Sequence, residues 1–425
     1  MTTRHHASLG FIFVSVLLGM VAFGIALPPL PKLISEFVGG DMARASAYVG
    51  LFGTTFALMQ FFFSPVLGML SDRYGRRPVV LLSNFGLALD YMILAIAPSV
   101  SWLFLGRILS GVSSSSIPTA TAYISDVTPP EKRSKAFGLL AAAYGAGFII
   151  GPAIGGWLGL HNPRLPFWVA GAANLLNFFY GLFVLPESLT PEKRQQRLAW
   201  KKANPIGALR LLRSHAELLG LASVSLLGYL AYEVYGTVWI LYVMYRFGWD
   251  QRMIGIALTG VGVLAIGYST ALVGPAVARF GERRTMLAGL LFASAGFVLY
   301  GRAGSSITFF VAIAITALWQ LAGPTTQTLM TRQVSASEQG ELQGAIGSLR
   351  GIAMIIGPQM FASTFAYFIS RDHHLPGAPW YLASLLLATS LVIAVYVTDD
   401  KKRPEERVET GFAPAEAESK MAREA

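Results

Sequence analysis

The stretch Leu67-Gly68-Met69-Leu70-Ser71-Asp72-Arg73-Tyr74-Gly75-Arg76-Arg77 recurs 206 residues later as Val273-Gly274-Pro275-Ala276-Val277-Ala278-Arg279-Phe280-Gly281-Glu282-Arg283. A second pair of segments, Ile149-Ile150-Gly151-Pro152 and Ile355-Ile356-Gly357-Pro358, is separated by the same number of residues. One offset shared by two distant motifs indicates that the chain consists of two duplicated halves. In a membrane protein, parallel repeats of this kind predict a binding site between the halves, near the middle of the bilayer.

The chain is rich in apolar residues and poor in charged ones. Of its 425 residues, 54% are apolar and 13% are charged, whereas an ordinary soluble domain has roughly 25% charged residues. Segments such as 8–31, 46–70 and 136–159 contain no Asp, Glu, Lys or Arg, and about 20 apolar residues are enough to span a bilayer. This composition excludes a soluble enzyme and predicts an all-α membrane protein. The absence of cysteine excludes disulfides and thiol catalysis.

We predict twelve transmembrane helices in two six-helix, pseudo-symmetric halves. The predicted spans are 8–31, 46–70, 78–98, 101–124, 136–159, 165–186, 217–245, 253–277, 285–301, 305–330, 342–370 and 378–398. Residues 1–186 form the N-terminal half and residues 215–398 the C-terminal half. The linker 187–214 is expected to carry a short interfacial helix near Leu209 and Leu212, or else to be a disordered basic segment. The tail 399–425 is polar and dispensable.

The basic residues predict the orientation. Of the 33 Lys and Arg residues, 24 lie at one end of the spans, two lie within spans, and seven lie in the loops at the other end, namely Lys32, Arg44, Arg164, Arg246, Arg252, Arg302 and Arg371. By the positive-inside rule both termini are cytoplasmic, in a multi-pass membrane protein. The net charge of +10 therefore belongs to the inner membrane edge, and we expect no nucleic-acid partner.

Four ionisable side chains lie deep within predicted spans: Asp90, Arg107, Glu233 and Arg350. Each one costs at least about 2.5–3.5 kcal/mol to insert, so each is a functional candidate. Asp90 and Arg107 lie eight and nine residues from Pro98, which at 1.5 Å per residue gives both a depth of roughly 12–13.5 Å. They can therefore pair. We predict proton coupling by Asp90, Arg107 and Glu233. The alternative is that Asp90–Arg107 and Glu233–Arg350 are static ion pairs.

Three motifs, in chain order, carry a resemblance to a known family. Gly68-x3-Asp72-Arg73-x-Gly75-Arg76-Arg77 resembles the inner-loop signature of the major facilitator superfamily, and Arg107-x3-Gly111 resembles its second motif. Gly147-x3-Gly151-Pro152-x2-Gly155-Gly156 resembles the span 5 motif of its drug:proton antiporters. Up to span 12 the chain also resembles the tetracycline efflux proteins. The resemblance implies the fold of that superfamily and proton-coupled efflux of small amphipathic drugs by alternating access, with no enzyme activity and no cofactor.

The chain departs from the tetracycline efflux proteins at three membrane positions. In that family spans 1 and 9 carry an embedded Asp and span 8 carries a His. The matching residues here are Gly19, Ala293 and Ala265, and only the span 3 acid is kept, as Asp90. A methyl group cannot exchange a proton. We therefore expect weak or absent transport of tetracycline itself.

The inner-loop motif predicts a gate formed by Gly68, Asp72, Arg73, Gly75, Arg76 and Arg77. Asp72, at the end of span 2, is expected to pair with an arginine of the adjacent loop and to lock the outward-facing state. The second half has Ala278 and Glu282 at the equivalent positions, so the lock is asymmetric.

The glycines of span 5, namely Gly147, Gly151, Gly155 and Gly159, are spaced four apart. This spacing exposes bare backbone on one helix face, which permits a close seal between the halves or simple helix packing. Pro152 bends the helix.

Aromatic and amide side chains predict a cavity for a flat amphipathic molecule. The predicted cavity residues are Gln60, Tyr232, Glu233, Trp239, Gln320, Gln327 and Arg350, accompanied by Tyr91, Tyr229, Tyr235 and Trp319. Trp102, Trp249 and Trp380 are expected at the membrane interface. The histidine pairs lack the spacing of a metal site. We expect a monomer whose partners are a small amphipathic substrate, protons and the lipid bilayer. A nutrient symporter and a non-transporting membrane receptor are the alternatives.

Overall fold

The computed structural model describes residues 2–114, 116–190, 192, 194–195, 207–213, 216–335, 337–370 and 374–399. This part of the chain is helical and contains no strand. The first half comprises α1 (Thr2–Ala26), α2 (Pro29–Phe37), α3 (Met42–Tyr74), α4 (Arg76–Ile96), α5 (Val100–Ser113), α6 (Ser116–Val127), α7 (Arg133–His161) and α8 (Leu165–Val184). The second half comprises α9 (Ala216–Thr237), α10 (Trp239–Phe247), α11 (Gln251–Ala271), α12 (Val273–Arg302), α13 (Ser306–Thr316), α14 (Ala322–Thr331), α15 (Gln339–Ile369) and α16 (Ala378–Val397).

The predicted all-α membrane fold is confirmed, but the fourth predicted span is too short as a single helix to cross a membrane. Eleven helical segments in the described ranges are long and apolar enough to cross a membrane. The predicted span 101–124 is instead divided into α5 and α6 around Ser114. Pro118 has no N–H to donate to the carbonyl four residues earlier, which belongs to Ser114. The side chain of Gln60 on α3 contacts the chain at this break, and its amide donates to Ser114 Oγ over 2.9 Å.

The duplicated loop motif forms the same turn in both halves. Gly75, between α3 and α4, has φ +110°, and Gly281, within the helical stretch of α12, has φ +76°. Residues with side chains rarely adopt these angles, so glycine is required at both positions. The 206-residue repeat of the sequence thus appears as a repeated turn between two long helices.

The two halves meet through two helix pairs, α3 with α15 and α7 with α11. Ser46 Oγ donates to Ala362 O and Thr54 Oγ1 to Ile355 O, both over 2.9 Å. In the other pair, Thr259 Oγ1 donates to Ile149 O over 3.1 Å. Hydroxyl groups and glycines bring the backbones close at these interfaces, as is usual for helices in membranes.

These contacts hold the halves together at one end only. We call the end that carries the Gly75 and Gly281 turns the basic end. Toward that end, the last glycines of these helices with a close neighbour in the other half are Gly351, beside Phe61, and Gly145, beside Ile266. Nearer the basic end, no neighbouring atom comes within 4 Å of the β position of any of four further glycines, Gly68, Gly138, Gly267 and Gly347. Open space therefore adjoins the facing helices of the two halves toward the basic end.

An aromatic core stabilises the second half and corrects three predictions. Trp239, expected in the cavity, is 1% exposed, and Trp249 and Trp380, expected at the membrane interface, are 7% and 0% exposed. Their rings pack with Tyr300 and Phe309, with centroids 4.7 Å apart for Tyr300–Trp380 and 4.6 Å apart for Tyr300–Phe309. Such aromatic packing outweighs the preference of an indole for the interface.

The structure also bears on the predictions for Trp102 and for the linker helix. Trp102 is 44% exposed, as an interfacial residue should be. In the linker, a 3-10 helix spans Gly207–Arg213, and its Leu211 and Leu212 are buried in contact with the rest of the protein, where the segment meets α9 and α15. The rest of the predicted interfacial helix, and residues 400–425 of the tail, lie outside the described residues.

Candidate transport pathway

The ion pair predicted within the first half is present. Arg107 Nη2 on α5 donates to Asp90 Oδ2 on α4 over 2.5 Å. Asp90 is completely buried. Gly106 makes room for the acid, since a Cβ at that position would lie 2.6 Å from Asp90 Oδ1. The two charges are thus held together, and Asp90 has no contact with solvent in this conformation.

The second intramembrane acid, Glu233 on α9, packs directly against the backbone of α15. A Cβ added to Gly357 would lie 2.5 Å from both Cβ and Cγ of Glu233. Glu233 is only half-buried, and among the described residues it forms no ion pair with Arg350. The alternative of a fixed Glu233–Arg350 pair is therefore absent from this conformation.

Arg350 lies on α15, seven residues before Gly357, and its side chain is exposed. Its charge acts electrostatically on Glu233 and on the hydroxyl groups of Tyr229 and Tyr232. Seven residues are almost two helical turns, so Arg350 and Gly357 share one face of α15. Glu233, Arg350 and the two tyrosines thus form one group on facing sides of α9 and α15.

An aromatic wall, formed by Tyr232, Tyr235 and Trp319, adjoins this group. Tyr232 is 52% exposed, and its ring lies 5.9 Å from that of Trp319 and 5.7 Å from that of Tyr235. Gln320 is half-buried beside Trp319 in the 3-10 segment Ala317–Leu321.

Three other predicted cavity residues lie apart from the aromatic wall. Gln327 is exposed, and its amide contacts Gln343 Oε1 at 3.4 Å. Gln60 is bound at the α5–α6 break. Tyr91 is buried beside the first acid.

The predicted inner gate is a network within the first half. Arg76 Nη1 donates to Asp72 Oδ1 over 2.5 Å, and Arg76 Nε donates to Asp126 Oδ2 over 3.0 Å. The pairing of Asp72 with an arginine of the adjacent loop is confirmed, but here it exists while the basic end is open. Arg73 lies over the ring of Tyr74, and Arg77 donates to the carbonyl of Leu182.

Sequence reasoning missed two acids that complete this network. The backbone N–H groups of Arg76 and Arg77 donate to the carboxylate of Glu187 over 2.8 and 3.3 Å, where an acid is favoured by the helix dipole. Ser188 Oγ donates to Asp126 over 3.1 Å. The signal was available, because both acids directly follow apolar spans at an end of the protein that is otherwise basic.

The second half contains a matching ion pair with its charges exchanged. Arg332 binds Glu282 through two guanidinium nitrogens, each 2.6 Å from a carboxylate oxygen. Glu282 and Arg332 lie 206 residues after Arg76 and Asp126. The acid and the base have therefore changed places between the two hairpins, while the contact between the positions is the same.

The glycines of the span 5 motif serve two interfaces. At Gly147, Gly151 and Gly155 the nearest atoms belong to α1 of the same half, whereas Gly156 faces Gly255 of α11 across the interface between halves. The predicted seal between halves thus involves Gly156 and also Gly159, whose nearest neighbour is Gln251 of α11, whereas the other three glycines of the i, i+4 face pack within the first half.

The three positions that lack the family's ionisable residues have different surroundings. A Cβ on Gly19 would lie 3.9 Å from Asn177 Nδ2, its nearest neighbour. Ala265 is half-buried, and Ala293 is completely buried. No group of three acids or histidines in the described part of the chain is placed to hold a metal ion.

Comparison with known proteins identifies the family. The sequence model described as Major Facilitator Superfamily matches residues 12–233 and again 221–423. The class C tetracycline resistance protein of Escherichia coli is 35% identical over 374 residues, which cover 87% of this chain and 93% of that protein. The class G tetracycline resistance protein of Vibrio anguillarum is 35% identical over 399 residues, covering 90% and 99%.

Solved structures agree on the fold. A human organic anion transporter has a TM-score of 0.68 at 23% identity, covering 92% of this chain and 99% of the other. The nucleoside transporter NupG has a TM-score of 0.73 at 13% identity, covering 92% and 98%. The chain therefore belongs to the Major Facilitator Superfamily, in which it is similar over most of its length to the tetracycline resistance proteins, and it is a multi-pass membrane transport protein rather than an enzyme.

Proposed function

We propose that this protein exports small amphipathic drugs in exchange for protons, as a monomer that opens alternately to the two sides of a bacterial inner membrane. The names of its relatives, the tetracycline resistance proteins, support drug export. The positive-inside rule assigns the basic end to the cytoplasm. The present conformation is then the one that takes up substrate from inside the cell.

Glu233 carries this proposal. It is a half-buried carboxylate deep in a membrane helix, without an ion-pair partner in the described residues, and it lies beside the exposed ring of Tyr232. An unpaired acid at such depth is a functional site by default. With aromatic faces beside it, it suits the cationic group of a flat amphipathic molecule.

Asp90 supplies the second step of the exchange. While Arg107 holds it over 2.5 Å, the buried acid faces a permanent positive charge that compensates its own. A movement of α5 relative to α4 would break this pair and leave a buried carboxylate that takes up a proton. Because Asp90 is sealed from solvent here, we assign its protonation to the conformation open to the other side.

The test is transport by everted membrane vesicles from a pump-deficient host. With a proton gradient imposed, we expect uptake of at least one amphipathic cation and release of protons when that cation is added. The control is Glu36→Gln, which removes an exposed acid near the end opposite the basic end. Uptake of protons together with substrate would identify a symporter and refute export. A transport role would be refuted if none of the amphipathic compounds tested crossed the vesicle membrane.

A further inference from the structure

Two opposite charges, both within the membrane-spanning helices, lie on the same side of the pathway without neutralising each other. Glu233 is seated over Gly357, and Arg350 is seven residues before Gly357 on α15. At 1.5 Å per residue this separates the two levels by roughly 10 Å along the helix. The side chain of Arg350 is exposed, and no ion pair joins it to Glu233 in the described part of the chain.

Neither charge has a partner of its own in the described part of the chain. The ion pairs of that part involve Asp72, Asp126, Asp90 and Glu282 as acids, and none of them binds Arg350. Charged groups at membrane depth usually pair with one another, so two unpaired charges there are unfavourable. A ligand that satisfies both charges would recover more of this cost than a ligand that satisfies one.

The surface between the two charges is aromatic. Tyr229 is one turn of α9 before Glu233, on the side of Arg350, and Tyr232 presents an exposed ring next to Trp319. A flat apolar body can stack on these rings, with its polar ends reaching the carboxylate and the guanidinium.

We propose that this site takes a dipolar substrate, in which a flat body carries a cationic group for Glu233 and an anionic group for Arg350, with the two groups roughly 10 Å or less apart. The inference rests on the proposed function, because it names the substrate class of the same site. A purely cationic drug leaves Arg350 unpaired and is repelled by it. A purely anionic drug meets the same difficulty at Glu233. The substrate with both groups avoids both penalties.

Two related dyes separate these cases: a rhodamine ethyl ester, which is a cation, and its free acid, which adds a carboxylate to the same ring system. Binding to the purified full-length protein is measured by fluorescence anisotropy, without a membrane potential or proton gradient. We expect the free acid to bind about tenfold more tightly, a factor that corresponds to about 1.4 kcal/mol. Arg350→Gln should abolish this preference, because it removes both the partner of the dye carboxylate and the charge that repels the ester, and Arg350→Lys should retain part of it. Glu233→Gln should weaken both dyes.

The outcomes distinguish the two proposals. A free acid that binds no better than the ester, or a preference that survives Arg350→Gln, overturns the dipolar site even if the vesicles export the ester. Failure of both dyes to bind also overturns it. Export that fails in the vesicles while the purified protein shows the Arg350-dependent preference would instead overturn the proposed exchange and leave the binding site supported.

Discussion

Replacing Gly357 by alanine tests whether the close packing of α9 on α15 positions the intramembrane acid. The new Cβ would lie 2.5 Å from both Cβ and Cγ of Glu233, whereas carbon atoms in good contact are about 3.5–4.0 Å apart. The side chain or the whole helix must therefore move by at least about 1 Å. Cβ and Cγ are close to the backbone, so a simple rotation of the carboxylate cannot relieve the clash.

Overpacking of this kind typically costs about 1–3 kcal/mol. We expect Gly357→Ala to lower the midpoint of thermal unfolding by a few degrees and to weaken binding of the cationic rhodamine ester by about tenfold, since Glu233 no longer lies at its site. The assays are fluorescence-monitored unfolding in detergent and dye anisotropy on the same samples.

Gly347→Ala is the matched control on the same helix. No neighbouring atom lies within 4 Å of its β position, and alanine is favoured over glycine inside a helix by roughly 0.5–1 kcal/mol. We expect this variant to be as stable as the parent or more stable, with dye binding unchanged. If the two alanine variants behave alike in both assays, the idea that Gly357 positions Glu233 is wrong.

Four further outcomes follow from the ion pairs and the acids. Asp90→Asn should insert normally but release no protons when substrate is added to everted vesicles, and wild-type release would contradict its role in coupling. Asp72→Asn should reduce export far more than Glu282→Gln, because the second-half pair is more exposed and the first-half arginine binds two acids; equal losses would show that this asymmetry has no effect. Glu282→Arg alone should reduce export while the double variant with Arg332→Glu restores it, and a double variant as impaired as the single one would rule out an ion-pair role. The protein should give its host little tetracycline resistance, and Glu233→Gln should abolish export of an amphipathic cation. Strong tetracycline resistance that survives Glu233→Gln would contradict this expectation.

Hydropathy and charge were sufficient to predict the helices and one ion pair. Runs without charged residues have few stable positions other than the bilayer, so the spans followed from the positions of acids and bases. Asp90 and Arg107 could be paired in advance because they lie almost equally far from Pro98 in a hairpin of two spans. The break in the fourth span was missed because Ser114 and its neighbours carry no charge, and the spans are bounded by charged residues.

The direction in which an aromatic side chain points could not be predicted. A helix in lipid has apolar residues on both faces, so the pattern that identifies the buried face of a soluble helix is absent. Trp239 was therefore assigned to the cavity and Trp380 to the interface, although both pack in the core of the second half. The partnership of Arg76 with Asp126 and Glu187 also depends on how three loops fold together, which no spacing within one segment reveals.

Arg76 pairs with Asp126 in the first half, and Glu282 pairs with Arg332 at the equivalent positions of the second half. This exchange of acid and base shows one way in which duplicated halves can diverge. Changing one member at a time passes through an unmatched pair. In the second half, where the Arg332 side chain is 64% exposed, losing a surface ion pair costs no more than about 1 kcal/mol. Divergence could therefore reverse the polarity of the pair while its attraction was retained. A comparison that scores residues singly counts both positions as mismatches, although together they preserve the same bond. Searches for ancient internal repeats in membrane proteins should thus gain sensitivity if they score contacting positions jointly.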